Sequence, residues 1–355
     1  MPIWKKFTEI DNRYNEKKLT NIRQYVDSNL QWVVTEKIDG ENASINISPE
    51  GIRIGKRSSL FPVGSKFGKV LEVAEKHKDS FMSAYNYIIE RYSKVTNELN
   101  EESFMKINSV TFFGESFGGV YPHKDVEKAI NAKKIQGRVF YCPDNDFLIF
   151  DIAMTMEDIE GYIKNYYLDY NVFEQICCMF NLPYIKPLFF GSFEECLNYD
   201  VNFVTTIPYY YNLPRIEDNF TEGIVIKPVK EQRFGNGERV ILKKKSEKFS
   251  EKRKSNNAFI INKEDYSLEL VNAMSLSSMY ITENRLMNII SHFGEVSNKD
   301  FGPVLKEFNE DVLKDMYREC DVSIDILDKK DLKLLNKYIN NECSKLMKKE
   351  FFKHT

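Results

Sequence analysis

The chain has 355 residues, 42% hydrophobic and 14% aromatic, with a formal net charge of −3 and a pI near 6.0. That length exceeds what one hydrophobic core usually serves, so two domains are expected, and the apolar and aromatic content excludes an intrinsically disordered chain. No run approaches the roughly 20 apolar residues of a membrane span, and the amino-terminal MPIWKKFTEIDNRYN has no apolar region after its lysines, so a soluble, cytoplasmic or otherwise intracellular protein without signal peptide, transit peptide or membrane partner is expected.

The six cysteines include no C-x-x-C pair and the four histidines are scattered, which argues against a zinc site or a disulfide framework and for free structural thiols. The acidic average conceals a basic segment. Between Lys227 and Lys254 there are eleven Lys and Arg against four Glu, a local excess of seven positive charges that suits phosphate contact.

In chain order, residues 31–57 (QWVVTEKIDGENASINISPEGIRIGKR) alternate apolar and polar positions, predicting a strand that ends near Lys37 and then a β-hairpin around Pro49-Glu50-Gly51. Residues 69–99 lack Pro and Gly and space their apolar residues by three and four, predicting a helix. FMKINSVTFFGESFG and DFLIFDIAM read as strands, and MEDIEGYIKNYYLDYNVFEQICCMF reads as helical. EGIVIKP and ERVILKKK are strands flanking a Gly235-Asn236-Gly237 turn, and SEKFSEKRKSNN is polar enough to end a domain. Helices are then expected over 263–279, over 284–293, and onward to Phe352. The expected fold is α+β over residues 1–250, followed by an all-α domain over 251–355.

The chemistry centres on Lys37-Ile38-Asp39-Gly40, just after a strand. A lysine becomes a nucleophile only on losing its proton, which neighbouring cations and desolvation favour. The tetrapeptide is followed by Arg57 in GKRSS, Glu115 in FFGESFG, Phe150 in LIFDI, Glu222 with Lys227 in TEGIVIKP, and Lys243 with Lys245 in ILKKKSEKFS. In order and character these segments resemble motifs I, Ia, III, IIIa, IV and V of the covalent nucleotidyltransferase superfamily. The similarity is greatest to the RNA ligase 2 family of phage and kinetoplastid RNA-editing enzymes. It runs almost unbroken from Thr221 to Ser255 and continues into TENRLMNIISHFGEVSNKDFGPVLKEF.

The resemblance implies an adenylyltransferase domain of antiparallel sheets with flanking helices, a helical C-terminal RNA-engaging domain, and ATP-dependent RNA ligation. Lys37 would attack the α-phosphorus of ATP and carry AMP. Lys227, Lys243, Lys245 and Arg57 would hold phosphates. Glu222, with help from Glu115, would bind Mg²⁺, for which Mn²⁺ can substitute. Glu115 would also hold the ribose and Phe150 would stack on adenine. Glu36 and Asn42 would make adenine and phosphate contacts. Lys248, Lys252, Arg253 and Lys254 would touch the RNA backbone, and the partner implied is a nicked RNA duplex with 3′-hydroxyl and 5′-phosphate ends, bound by a monomer.

Three positions depart from the family pattern. Asp39 stands where the phage and editing ligases have histidine, GKRSS replaces KRTG, and Thr35 replaces a basic residue. Two other readings compete. A DNA ligase or capping guanylyltransferase would follow motif V with a β-barrel, which this helical tail does not resemble. A silent nick-binding protein would be expected to lose Lys37 or Glu222, and both are present.

Overall fold

The computed structural model describes residues 4–12, 15–65, 69–98, 106–157, 160–250, 266–293, 296–319 and 327–351. Two compact units form: Met1–Arg13 with Asn21–Ser246, and Tyr14–Thr20 with Glu247–Thr355.

The strands of the first unit are, in chain order, β1 (Asp11–Asn12), β2 (Trp32–Lys37), β3 (Glu41–Ser48), β4 (Gly51–Lys56), β5 (Ser59–Leu60) and β6 (Lys106–Gly118). They continue with β7 (Asn145–Glu157), β8 (Ile163–Tyr167), β9 (Pro187–Gly191), β10 (Gly223–Pro228) and β11 (Leu242–Lys245). Two sheets result, ordered β1-β11-β10-β2-β9 and β5-β4-β3-β6-β7-β8. Every pairing is antiparallel except β1 with β11. The Pro187-led strand β9 lies at an edge, where a missing N–H costs no ladder bond.

The β3–β4 hairpin follows from the alternation: Ile45 pairs with Ile54 and Ile47 with Ile52, and Pro49-Glu50 closes a two-residue turn into Gly51 at φ 121°. Helices α1 (Val70–Lys76), α2 (Lys78–Glu98) and α3 (Tyr170–Met179) contribute to the apolar core around β3, β6 and β7. Phe81 meets Phe112 edge-on there with centroids 5.0 Å apart, and Ile45, Ile47, Ile88 and Phe173 complete the layer. The predicted helix over 69–99 is thus two helices, interrupted at His77.

The helix read into MEDIEGYIKNYYLDYNVFEQICCMF is corrected in its first half. β7 runs through Glu157, β8 pairs back onto it, and helix begins only at Tyr170. Tertiary pairing explains the miss. Asn165 and Tyr167 are buried in β8, Asn165 taking a hydrogen bond from Thr155 Oγ1 at 3.0 Å and Tyr167 packing with Phe113, which a helical spacing count does not register.

Among the described residues of the second unit, four α-helices follow: Leu268–Tyr280, Glu283–Phe293, Phe301–Glu319 and Lys329–Phe351. The third and fourth bury every fourth residue, Val304, Phe308, Val312 and Met316 against Leu335, Ile339, Cys343 and Met347. Fully buried Arg285 is neutralised by Asp311 and by Asp315 at 2.8 Å. Among the described residues no helix is long and apolar enough to cross a membrane. The predicted start of the first of these helices, at 263, lies outside the described residues.

Candidate active site

Strand register assembles the site. Gly223 pairs with Lys37 on β2 and with Lys245 on β11, so three strands bring these positions into one cross-strand row. Glu222 precedes that glycine, is 2% exposed, and reaches both lysines: Lys37 Nζ at 2.7 Å and Lys245 Nζ at 2.8 Å. Burial alone would raise the Glu222 carboxyl, but the charges of Lys245 and Lys37 outweigh it and hold the group below its ordinary value. Lys243 lies two residues before Lys245 and so on the same face of β11.

The turn after Lys37 needs glycine at position 40. A Cβ there would collide with the carbonyl oxygen of Ser116 and come within 2.9 Å of Glu115 Cγ. This close approach seats the lysine turn on β6, whose Glu115 stands directly opposite Asn42. Burial pushes the Glu115 carboxyl up to about 8; Lys37 opposes the rise, Glu222 and Asp39 add to it, and Arg57 opposes it less. Arg57 itself is exposed, in the turn between β4 and β5.

Three predicted residues have other partners. Glu36 is 1% exposed, and its charge reaches Tyr141, which holds the Asp39 N–H. The Glu36 carboxylate is taken by Thr205 Oγ1, by the Thr206 N–H at 2.8 Å and by Thr206 Oγ1 at 2.7 Å. Lys227 is four residues beyond Gly223, roughly 13 Å along the strand, and its ammonium pairs with buried Asp151 at 3.0 Å and with the Phe150 carbonyl at 3.3 Å. Phe150 packs edge-on against Phe7, centroids 4.9 Å apart, in a cluster with Phe113 and Tyr167. Lys248 is exposed and belongs to the second unit, whereas Lys252, Arg253 and Lys254 lie outside the described residues.

Several residues give no sequence signal of their own. Asp151 is bound by Lys227 and by Arg239 at 2.7 Å, and Arg239 also holds Glu231 at 2.8 Å, a buried charge network. Asp39 accepts from Arg138 Nη2 at 3.0 Å and donates its own N–H to the Tyr141 hydroxyl at 2.7 Å. Only the three-dimensional pairing of distant segments could reveal either set. Among the described residues no group of three or more His, Cys, Asp or Glu is placed to hold a metal, and the cysteines are free.

Residues 30–245 match the family model for RNA ligase, and residues 263–345 match that for the T4 RNA ligase 2 C-terminal region. The chain is similar to the mitochondrial RNA-editing ligase 2 of Trypanosoma brucei brucei, 26% identical over 400 residues that cover 97% of this chain and 90% of that protein. It is also similar to the mitochondrial RNA-editing ligase 1 of the same organism, 28% identical over 228 residues, 56% of this chain and 45% of that protein. A solved Naegleria gruberi RNA ligase mutant with ATP and Mn aligns at 15% identity and a TM-score of 0.44, covering 70% of this chain and 58% of that one. The chain thus spans little more than half the length of that structure.

Proposed function

The chain belongs to the RNA ligase family, and from that premise we propose that it is an ATP-dependent enzyme that seals nicks in duplex RNA through an adenylate carried on Lys37. The observation that carries this reading is the buried Glu222 carboxylate held between Lys37 Nζ at 2.7 Å and Lys245 Nζ at 2.8 Å. It fixes one lysine at a strand end with a second cation beside it, where charge developing on a phosphate can be met.

In the first step Lys37 gives up its proton and attacks the α-phosphorus of ATP; a nitrogen–phosphorus bond forms and the bond to pyrophosphate breaks. Lys243, Lys245 and Arg57 supply positive charge as the phosphate oxygens and the leaving pyrophosphate gain negative charge. In the second step an oxygen of the RNA 5′-phosphate attacks the adenylate phosphorus and the bond to Lys37 Nζ breaks. In the third the 3′-hydroxyl attacks the activated 5′-phosphorus and AMP departs. Positioning and charge do most of this work, so no side-chain base is assigned.

The carboxylates fit a hard divalent cation. Glu222 and Glu115 lie within each other's field, and the Asp39 Oδ2 oxygen beside them is buried without a partner among the described residues. One or two carboxylates, with no larger ligand set, match a cation completed by waters and substrate phosphates, namely Mg²⁺, with Mn²⁺ as substitute. Held by Glu222 and Glu115, such an ion would supply further positive charge against the phosphates.

The preference for a duplex nick is supported by the match of residues 263–345 to the T4 RNA ligase 2 C-terminal model and by the basic stretch that opens with Lys248. The similarity to RNA-editing ligases along 97% of the chain supports a role in RNA repair or editing. Joining assays on 5′-phosphorylated substrates test the reading: nicked duplex RNA is expected to be sealed about tenfold or more faster than single strands or nicked DNA, a difference of ~1.4 kcal/mol. Equal joining of single-stranded RNA, or preference for DNA, overturns it.

A further inference from the structure

The segment 119–144, which links β6 to β7, meets the lysine turn at two points. Arg138 pairs with Asp39 Oδ1 at 3.0 Å, and Tyr141, fully buried, takes the Asp39 N–H at 2.7 Å. Its neighbours hold this stretch rigidly. The Gly118 N–H donates to Gln136 Oε1 at 3.1 Å, the Phe140 N–H donates to Asn219 Oδ1 at 2.8 Å, and Asn219 Nδ2 donates back to the Phe140 carbonyl at 2.6 Å. Arg138 is thus fixed in position, while 28% of its side chain stays exposed.

A pair built only for stability would leave no group unsatisfied. Here Arg138 pairs with Asp39 through Oδ1, and Asp39 Oδ2 is buried with no partner among the described residues. That cost is retained within the field of Glu222 and Lys37, at the edge of the proposed AMP-carrying site. The same segment carries Lys124, Lys128, Lys133 and Lys134, all exposed, and the charge of Lys133 reaches Glu41, next to Gly40. Asp125 and Glu127 stand between the first two of these lysines, and cations spread along a segment suit an extended polyanion better than a compact triphosphate.

We infer that Arg138, positioned by Asp39, grips the 5′-phosphate of the RNA strand that receives AMP, and that the lysines of the same segment follow that strand's backbone. The inference rests on the reading of Lys37 as the AMP carrier. Its test separates the steps: auto-adenylation with ATP, then single-turnover transfer from isolated enzyme–AMP to a nicked duplex bearing a 5′-phosphate. Loss of one charge-assisted phosphate contact predicts that Arg138→Ala slows transfer about 10- to 100-fold more than auto-adenylation. Arg138→Lys recovers part of the transfer rate, Asp39→Asn weakens transfer in the same direction to a smaller degree, and a Lys133→Ala, Lys134→Ala double variant flattens the salt dependence of duplex binding. If the alanine variant melts early, Arg138→Gln takes its place in the comparison. Equal losses in both steps place the gripped phosphate on ATP, and unchanged rates in both make the pair purely structural; either overturns the inference. A wild-type enzyme that takes up no AMP is a different failure, that of the proposed function itself.

Discussion

Glu115 and Glu222 carry the same side chain and move in opposite directions because one is buried among like charges and the other is clasped by two lysines. A carboxyl raised to about 8 opposes folding increasingly as pH climbs from its ordinary 4.5 toward that value. Glu115→Gln is therefore expected to raise the melting temperature of the ligand-free protein by a few degrees at pH 8 and to leave it unchanged at pH 4, as calorimetry can check. The depressed Glu222 acts with the other sign: its contribution is complete above the ordinary 4.5 and is lost as pH falls through its lowered folded value. Glu222→Gln is expected to cost about 3–5 kcal/mol at pH 7, the usual penalty of breaking a buried pair, with the difference from wild type narrowing in acid. A constant difference across denaturant titrations from pH 7 to 3 would contradict the assignment. Lys37, Glu222, Lys243 and Lys245 stand out in the sequence through the order of their motifs, and strand register brings Lys37, Glu222 and Lys245 together. Arg138 does not, since its partner Asp39 lies 99 residues away, and neither does Arg239, 88 residues from Asp151. The Thr205 and Thr206 contacts that hold Glu36 are equally non-local.

Among the elements, the lysine turn depends on how closely two backbones approach. Gly40→Ala would drive a methyl group into the Ser116 carbonyl oxygen, whereas the same change at Gly235 meets open space. Overpacking against backbone typically costs about 1–3 kcal/mol, so Gly40→Ala should lower stability in urea by that order and reduce AMP uptake, while Gly235→Ala should do neither. Matching behaviour of the two variants would remove the steric account of the motif glycine. The β3–β4 hairpin was readable because alternation and turn chemistry agree over adjacent residues. Strand β8 was misread because its Ile and Tyr residues at mixed spacing fit either period, and only pairing with the end of β7 decides between them. The edge strand β9 has only five residues, too few to give a pattern.

At the scale of the molecule, the net charge of −3 conceals a local excess of positive charge in the stretch from Lys227 to Lys254. The first unit holds every described residue assigned to adenylation, and the second is a helical unit with its own apolar core. The central claim is that Lys37 carries AMP. Incubating the full chain with Mg²⁺ and ATP labelled at the α-phosphate, then denaturing it, tests this directly. The account predicts acid-labile label on the wild type and none on Lys37→Ala; label retained by the variant, or none on wild-type protein free of bound AMP, would contradict it.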